Sequence, residues 1–114
     1  MKQGKVWGTT ELIIKTESFE VHRIEVKKGG YCSTHKHEYK HNMFFVECGL
    51  LKVHVFKKDY DLEDVTELGE REKTDIKPNE NHYFEAATNV VAYEIYYTEP
   101  IGVDIIRKNH GGIK

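Results

Sequence analysis

The sequence predicts an all-β fold, and three observations carry that expectation. Short runs rich in Val, Ile, Tyr and Phe recur along the chain, separated by Gly, Pro and Asn turn signals. No stretch keeps the 3.6-residue apolar period of a capped amphipathic helix, apart from a faint one near Leu62 to Leu68. The 114 residues make one domain, spanning 1–114, and folding at this length buries roughly two-thirds of the unfolded chain's surface around a single core. A sandwich or barrel of short strands satisfies all three.

Taken in order, Val6-Trp7-Gly8 opens the apolar pattern, with Trp7 expected to pack as a lid on the core. Leu12-Ile13-Ile14 is the first candidate strand, and Phe19 to Val26 the second, rich in β-formers and roughly alternating. Lys27-Lys28-Gly29-Gly30 ends that run in a turn, since tandem glycines adopt positive φ without a steric penalty. A histidine-bearing strand follows, then Met43 to Cys48. Gly49 separates that run from Leu50 to Phe56, which makes the two a hairpin candidate. The charge-rich stretch from Lys57 to Lys73 reads as an exposed hairpin or loop, because such runs are usually solvated faces. Pro78 marks a turn, Tyr83 to Ala87 a short strand, and Val90 to Tyr97 the most convincing strand of all. Val103 to Arg107 is a last apolar segment before a frayed end.

Composition excludes several function classes. Charges of both signs are abundant but the formal net charge is only -2, which argues against nucleic acid as the main partner. No apolar run approaches the roughly 20 residues that span a bilayer, and the N-terminus leads into no secretory apolar region. A cytoplasmic location is expected, with no membrane partner. Cys32 and Cys48 form neither a disulfide framework nor a CxxC pair, so free thiols are expected.

The chemistry concentrates in Gly29 to His41, where His35, His37 and His41 stand at spacings of two and four. Residues two apart on a strand share a face, so His35 and His37 point together. His41 lies past the turn Glu38-Tyr39-Lys40 and can swing back toward them. His82, in Lys77-Pro78-Asn79-Glu80-Asn81-His82-Tyr83-Phe84, is a fourth candidate from far along the chain. Imidazole nitrogens are common ligands of divalent transition metals, and a cage inside a small barrel needs neighbouring ligands from one segment and others from distant ones. His22, His54 and His110 stand alone and read as ordinary surface or hydrogen-bonded residues. By strand parity Cys32 faces away from His35 and His37, which leaves it out of the ligand set.

The spacing Gly29, five residues, His35-Lys36-His37, three residues, His41, then Gly49 resembles the first cupin motif. That motif usually carries a glutamate after the His-x-His pair; here His41 stands at one allowed spacing and Asn42 at the other. Pro78 to Phe84 resembles the second cupin motif, with Glu80 or Asn81 in place of the usual turn glycine. Together they look most like small four-histidine cupins, which implies a double-stranded β-helix, or jelly-roll barrel, with His35, His37, His41 and His82 as metal ligands. A wider likeness, in Val6-Trp7-Gly8, Val21 to Ile24 and Pro100 to Arg107, is to the cupin domain of type II mannose-6-phosphate isomerases, where Arg107 falls on an arginine implicated in the site. Small cupins often pair through edge strands, which implies a homodimer.

For the fourth position His41 is chosen over Asn42, since an amide oxygen is a weak ligand beside three imidazoles. Strand parity opposes that choice, because Asn42 shares a face with apolar Phe44 and Val46; a bulge at Lys40-His41 would remove the conflict. One divalent transition metal is expected, with Mn, Fe, Ni, Cu and Zn all compatible. Three readings follow: an isomerase or epimerase of a sugar or sugar phosphate, a dioxygenase of an enol or diketone, and a non-catalytic binding module. The first acts on a small-molecule substrate and needs a carbonyl-polarising metal, an acid–base group, for which Glu47, Glu94 and Tyr93 are candidates, and a cation for phosphate, for which Arg107 and Lys52 are candidates.

Overall fold

The computed structural model describes residues 2–57, 62–98, 102 and 104–114. Nine strands form in chain order: β1 (Lys2–Lys5), β2 (Gly8–Lys15), β3 (Phe19–Val26), β4 (His41–Cys48), β5 (Leu51–Phe56), β6 (Glu63–Leu68), β7 (Lys73–Ile76), β8 (Asn81–Ala86) and β9 (Val90–Tyr97). They build a six-stranded sheet in the order β1-β2-β3-β9-β4-β7 and a three-stranded sheet in the order β6-β5-β8, with every pairing antiparallel. The two sheets close on each other as a jelly roll. No helix among the described residues is long and apolar enough to cross a membrane.

Alternation decides which side chains fill the space between the sheets. Ile24 and Val26 from β3, Phe44 and Val46 from β4, Leu51 and Val53 from β5, Phe84 and Ala86 from β8, and Val90 and Ala92 from β9 are all buried. Phe44 and Phe84 meet edge to face at 5.8 Å, joining the two sheets. Each such ring contributes about 1.5–3 kcal/mol by leaving water. Trp7 packs as the sequence suggests, edge-on against Phe84 at 5.0 Å.

Several expectations change. The runs on either side of Gly49 are not a hairpin: β4 pairs with β9 and β7, while β5 pairs with β6 and β8. Gly49 adopts φ 94°, and a Cβ there would stand 2.2 Å from the Asn89 carbonyl oxygen. The chain therefore turns a corner between sheets at this point, which lets β4 and β5 both bury apolar faces in one core. The acidic stretch contains a regular strand, β6, whose burial is almost nil until Leu68. Its ladder to β5 holds it, not an apolar face. β1 was absent from the sequence reading for the same reason: Lys2–Lys5 is exposed throughout and is fixed by pairing with β2. Residues 104–107 form no strand and are exposed, and Pro100 lies outside the described residues.

Candidate metal centre

The histidine-bearing segment is extended but is not a regular strand. It runs antiparallel to β8, tied by Gly29 N–H to Ala86 O (2.8 Å), Cys32 N–H to Phe84 O (3.1 Å), and a reciprocal pair between His35 and His82 (3.0 and 2.9 Å). Residues that exchange both backbone bonds face each other with side chains on one side, so this pair sets His35 against His82. Cys32 and His35 are three positions apart, whereas their partners Phe84 and His82 are two apart. The extra residue is a local bulge, which turns Cys32 inward against strand parity, although Cys32 stays outside the three-histidine cluster as expected. Cys32 is buried in the core, its sulfur accepts the Phe84 N–H at 3.3 Å, and burial pushes its thiol up to about 11.

His37 is fixed at the far end of the segment, where its carbonyl accepts the Asn79 N–H at 2.7 Å. Asn79 sits at φ 68°, so the left-handed position of the Pro78 turn is held by an asparagine, one of the few non-glycine residues that tolerate it. The left-handed position of this turn thus falls at Asn79, not at Glu80 or Asn81.

His35, His37 and His82 come together, with one ligand nitrogen from each within 4.8 Å of the others. His35 Nδ1–H donates to the Ser33 carbonyl at 2.7 Å, and His82 Nδ1–H to the Glu80 carbonyl at 2.8 Å. Those backbone bonds fix the tautomer and leave each Nε2 lone pair facing the cluster. Burial, reinforced by the neighbouring rings of His35 and His82, pushes His37 down to about 4, and burial lowers His82 as well. Near neutral pH these imidazoles are held in the form that binds a metal.

His41 does not join them. It stands on the outer face of β4, where its ring stacks on Tyr97 at 4.8 Å and its Nδ1 faces Asp75 at 3.3 Å. The bulge that would have turned it inward is absent at Lys40-His41; the β4 irregularity falls between Val46 and Cys48 instead. Parity therefore prevails, and Asn42 takes the inner position. Asn42 is fully buried, with Nδ2 3.3 Å from His82 Nε2. Among the described residues, the buried side-chain polar atoms without a hydrogen-bond partner are His37 Nε2 and Asn42 Oδ1. Each such orphan costs about 1–3 kcal/mol, and a cation held by the three imidazoles would satisfy His37 Nε2. The donor set fits a divalent metal: three neutral imidazoles, with the Asn42 amide beside them.

The other sequence candidates fall elsewhere. Glu47 lies on the outer face of β4, exposed, with Tyr93 Oη donating to it at 3.4 Å and Arg23 4.0 Å away. It is outside because Asn42, Phe44 and Val46 are inside. Arg107 is exposed in the C-terminal segment and is not among the residues lining the cavity. Lys52 lies on the outer face of β5, between buried Leu51 and Val53. Of the acid–base candidates only Glu94 is in place. It is buried on β9, inward-facing with Val90 and Ala92, and accepts a 2.5 Å hydrogen bond from Tyr96 Oη. Burial raises the Glu94 carboxyl above the usual carboxylate range, and burial beside Glu94 raises Tyr96 far above a free phenol. Tyr96 is not singled out by the sequence, and His22 is the hydrogen-bonded histidine the sequence suggests, here bonded to Glu20. The available signal was a glutamate interrupting the inward apolar face of the best strand.

These groups share one cavity of about 1090 Å³, whose wall includes His35, Glu94, Tyr96, His22, Thr10, Phe84 and Trp7. His22 bonds to Glu20 at 3.0 Å and meets the Tyr96 ring edge-on at 5.6 Å.

No protein-family model and no curated protein matches the sequence. Solved structures do match in fold. KdgF from Halomonas sp. superposes with a TM-score of 0.75 at 12% identity, over 88% of this chain and 89% of that one. Oxalate decarboxylase from Bacillus subtilis, described with Mn(II) centres, superposes with a TM-score of 0.77 at 11% identity. The capsular polysaccharide assembling protein CapF from Staphylococcus aureus does so with a TM-score of 0.76 at 20% identity. The chain has the cupin fold. It covers 90% of itself in both of the last two matches but spans only 28% and 29% of those longer chains. The cupin fold and the three-histidine cluster together support a metal-binding cupin.

Proposed function

We propose that this cupin is a metal-dependent enzyme that moves a proton on a small carbonyl-bearing substrate, in the manner of a sugar isomerase or epimerase. The observation that carries this reading is the buried Glu94–Tyr96 pair, placed in the wall of the cavity that His35 also lines. A divalent ion held by His35, His37 and His82, with Asn42 beside them, would supply Lewis acidity toward a carbonyl or hydroxyl oxygen. Manganese is the first candidate, by likeness to the oxalate decarboxylase.

The residues of the chain supply the rest. A carboxylate kept above its ordinary range by burial is a stronger base than a solvated one. In its ionised form Glu94 takes the proton from the carbon next to the carbonyl. The C–H electron pair becomes a C=C bond, and the carbonyl π pair moves onto oxygen. Isomerisation follows when the proton returns to the former carbonyl carbon, while the hydroxyl proton of the first carbon passes to the new oxyanion and its O–H electron pair forms the new C=O; returning the proton to the opposite face of the same carbon, with the C=O re-formed, epimerises it. Tyr96 Oη, donating at 2.5 Å, fixes the carboxylate and stabilises its charge. The apolar wall of Phe84 and Trp7 keeps bulk water from quenching the intermediate.

The test is proton exchange in D2O, followed by NMR, with manganese-loaded protein and a panel of aldose and ketose phosphates. Exchange at the carbon adjacent to the carbonyl, lost in Glu94→Gln at unchanged manganese content, is the expected result. Oxygen consumption without exchange would replace this reading with a dioxygenase, and bound metal with neither activity would leave a binding module.

A further inference from the structure

The cavity has a second charged region, opposite in sign to Glu94. Lys5, Lys27 and Lys28 line it, and with Glu94 they are its only lysine, arginine or carboxylate side chains among the described residues. Local structure brings the three lysines to one end. Lys5 closes β1 and pairs with Gly8, which pairs in turn with Val26 at the end of β3. Lys27 N–H donates to the Trp7 carbonyl at 2.9 Å, and Gly30 N–H to the Lys27 carbonyl at 2.7 Å. A Cβ on Gly30 would stand 2.9 Å from both the Lys27 and Trp7 oxygens, so glycine is needed for this turn to seat on the β1–β2 connection.

None of the three pairs with a carboxylate among the described residues. Among the described residues, Lys15, Arg23 and Lys57 have carboxylates within 4.0 Å, whereas Lys5, Lys27 and Lys28 have none. The row formed by His22 and Glu94 lies four residues along β3 from Val26, about 13 Å at about 3.3 Å per residue. The lysines, His35 and Glu94 line one and the same cavity, so the span to be bridged lies within it. A small molecule of a few carbons can therefore touch both ends at once.

We propose that Lys5, Lys27 and Lys28 form an anion-binding rim that holds the phosphate or carboxylate of a small substrate whose other end reaches His35 and Glu94. The inference rests on the reading of the cavity as an active site and names the substrate class for it: a monoanionic or dianionic metabolite, not a neutral sugar. It also reassigns the cation role that the sequence suggested for Arg107 and Lys52.

Calorimetric titration of manganese-loaded protein with glucose 6-phosphate, glucuronate and glucose tests this, with fluorescence of Trp7, the chain's single tryptophan, as a second readout in the cavity wall. Both anions are expected to bind, with affinity falling as salt rises, and glucose at least about tenfold more weakly, about 1.4 kcal/mol. A phosphate-only or carboxylate-only response identifies the source of the charge. The triple variant Lys5→Gln, Lys27→Gln, Lys28→Gln, whose sites are exposed, is expected to fold as the parent by circular dichroism and to lose that preference. Binding of both anions no tighter than that of glucose, an undiminished preference in the triple variant, or no binding of any anion overturns the proposal. These outcomes are separable from failure of the enzymatic reading. Anion binding without proton exchange keeps the rim and removes the isomerase, and equal exchange on neutral and anionic sugars does the reverse.

Discussion

His82 and His54 sit on neighbouring strands, one facing into the barrel and one facing out, and their surroundings differ in kind. On the inside, His82 meets His35 and His37, with ring centroids 4.6 and 5.6 Å away. No carboxylate pairs with any of the three, and His37 Nε2 is left without a partner. On the outside, His54 has a glutamate at each ring nitrogen, Glu63 at Nδ1 and Glu85 at Nε2, and stacks on Tyr83 at 4.2 Å. Both are almost fully buried. Burial therefore does not distinguish a ligand from a structural histidine; what matters is what faces its ring nitrogens. The outer ring is closed by two carboxylates, whereas in the inner cluster His82 Nε2 meets only the neutral Asn42 amide at 3.3 Å and His37 Nε2 has no partner, an arrangement open to a cation.

The largest expected effect separates these two histidines. His82→Ala removes one of three imidazoles and should lower manganese or zinc affinity by at least about 100-fold, the upper end of what loss of an outer-shell partner costs. His54→Ala should leave affinity and stoichiometry unchanged. Calorimetric titration of the metal-stripped proteins, with metal content by mass spectrometry, measures both. Equal losses in the two variants would mean that the inner cluster is not the centre.

A smaller effect sharpens the comparison at β4, where adjacent residues face opposite ways. Asn42→Ala should weaken metal binding by about tenfold, as loss of a partner next to the ligands does. His41→Ala should leave it intact and cost only about 0.5 kcal/mol, the worth of an exposed pair such as His41–Asp75. The first is read by metal titration and the second by urea unfolding. A metal defect in His41→Ala would restore the ligand set that the sequence suggested.

That reversal shows where the sequence was legible. The bounds of β3 and β9 could be read from β-rich alternation, because both strands bury an apolar face against the core. His35, His37 and His82 could be read from spacing and turn chemistry. β1 and β6 could not, since backbone pairing holds them and leaves no apolar pattern. The position of a bulge decides both His41, which faces out and not in, and Cys32, which faces in although it stays outside the ligand cluster as expected. An inserted residue between Cys32 and His35 flips one parity, and its absence at His41 preserves another. A bulge is an agreement between two strands, so one strand's sequence does not reveal it. Glu94 drew notice only as one of several acidic residues. Its role became visible once Tyr96 and His35 were seen to share its cavity.

The smallest effect is a pH dependence of the metal-stripped fold, and its sign follows from the same contrast. His37 is held at about 4, below its ordinary 6.5, because burial and two neighbouring imidazoles disfavour its charge. Between those values the unfolded chain takes up a proton that the folded chain refuses. The unfolded state then binds more protons, so stability rises with pH across the window and is lost as pH falls from 6.5 toward 4. The lowered His82 adds in the same direction. Glu94 acts oppositely: its raised carboxyl binds a proton in the folded state at pH values where the unfolded chain has released it, so its contribution falls as pH rises above 4.5. Measuring urea midpoints of stripped Glu94→Gln protein isolates the histidines, and a loss on the order of 2 kcal/mol on acidification is expected. Adding His37→Gln to that background should flatten the curve, because an amide has no proton to gain. An unchanged slope would show that the inner cluster is solvated enough to titrate freely, and the contrast with His54 would fail at its root.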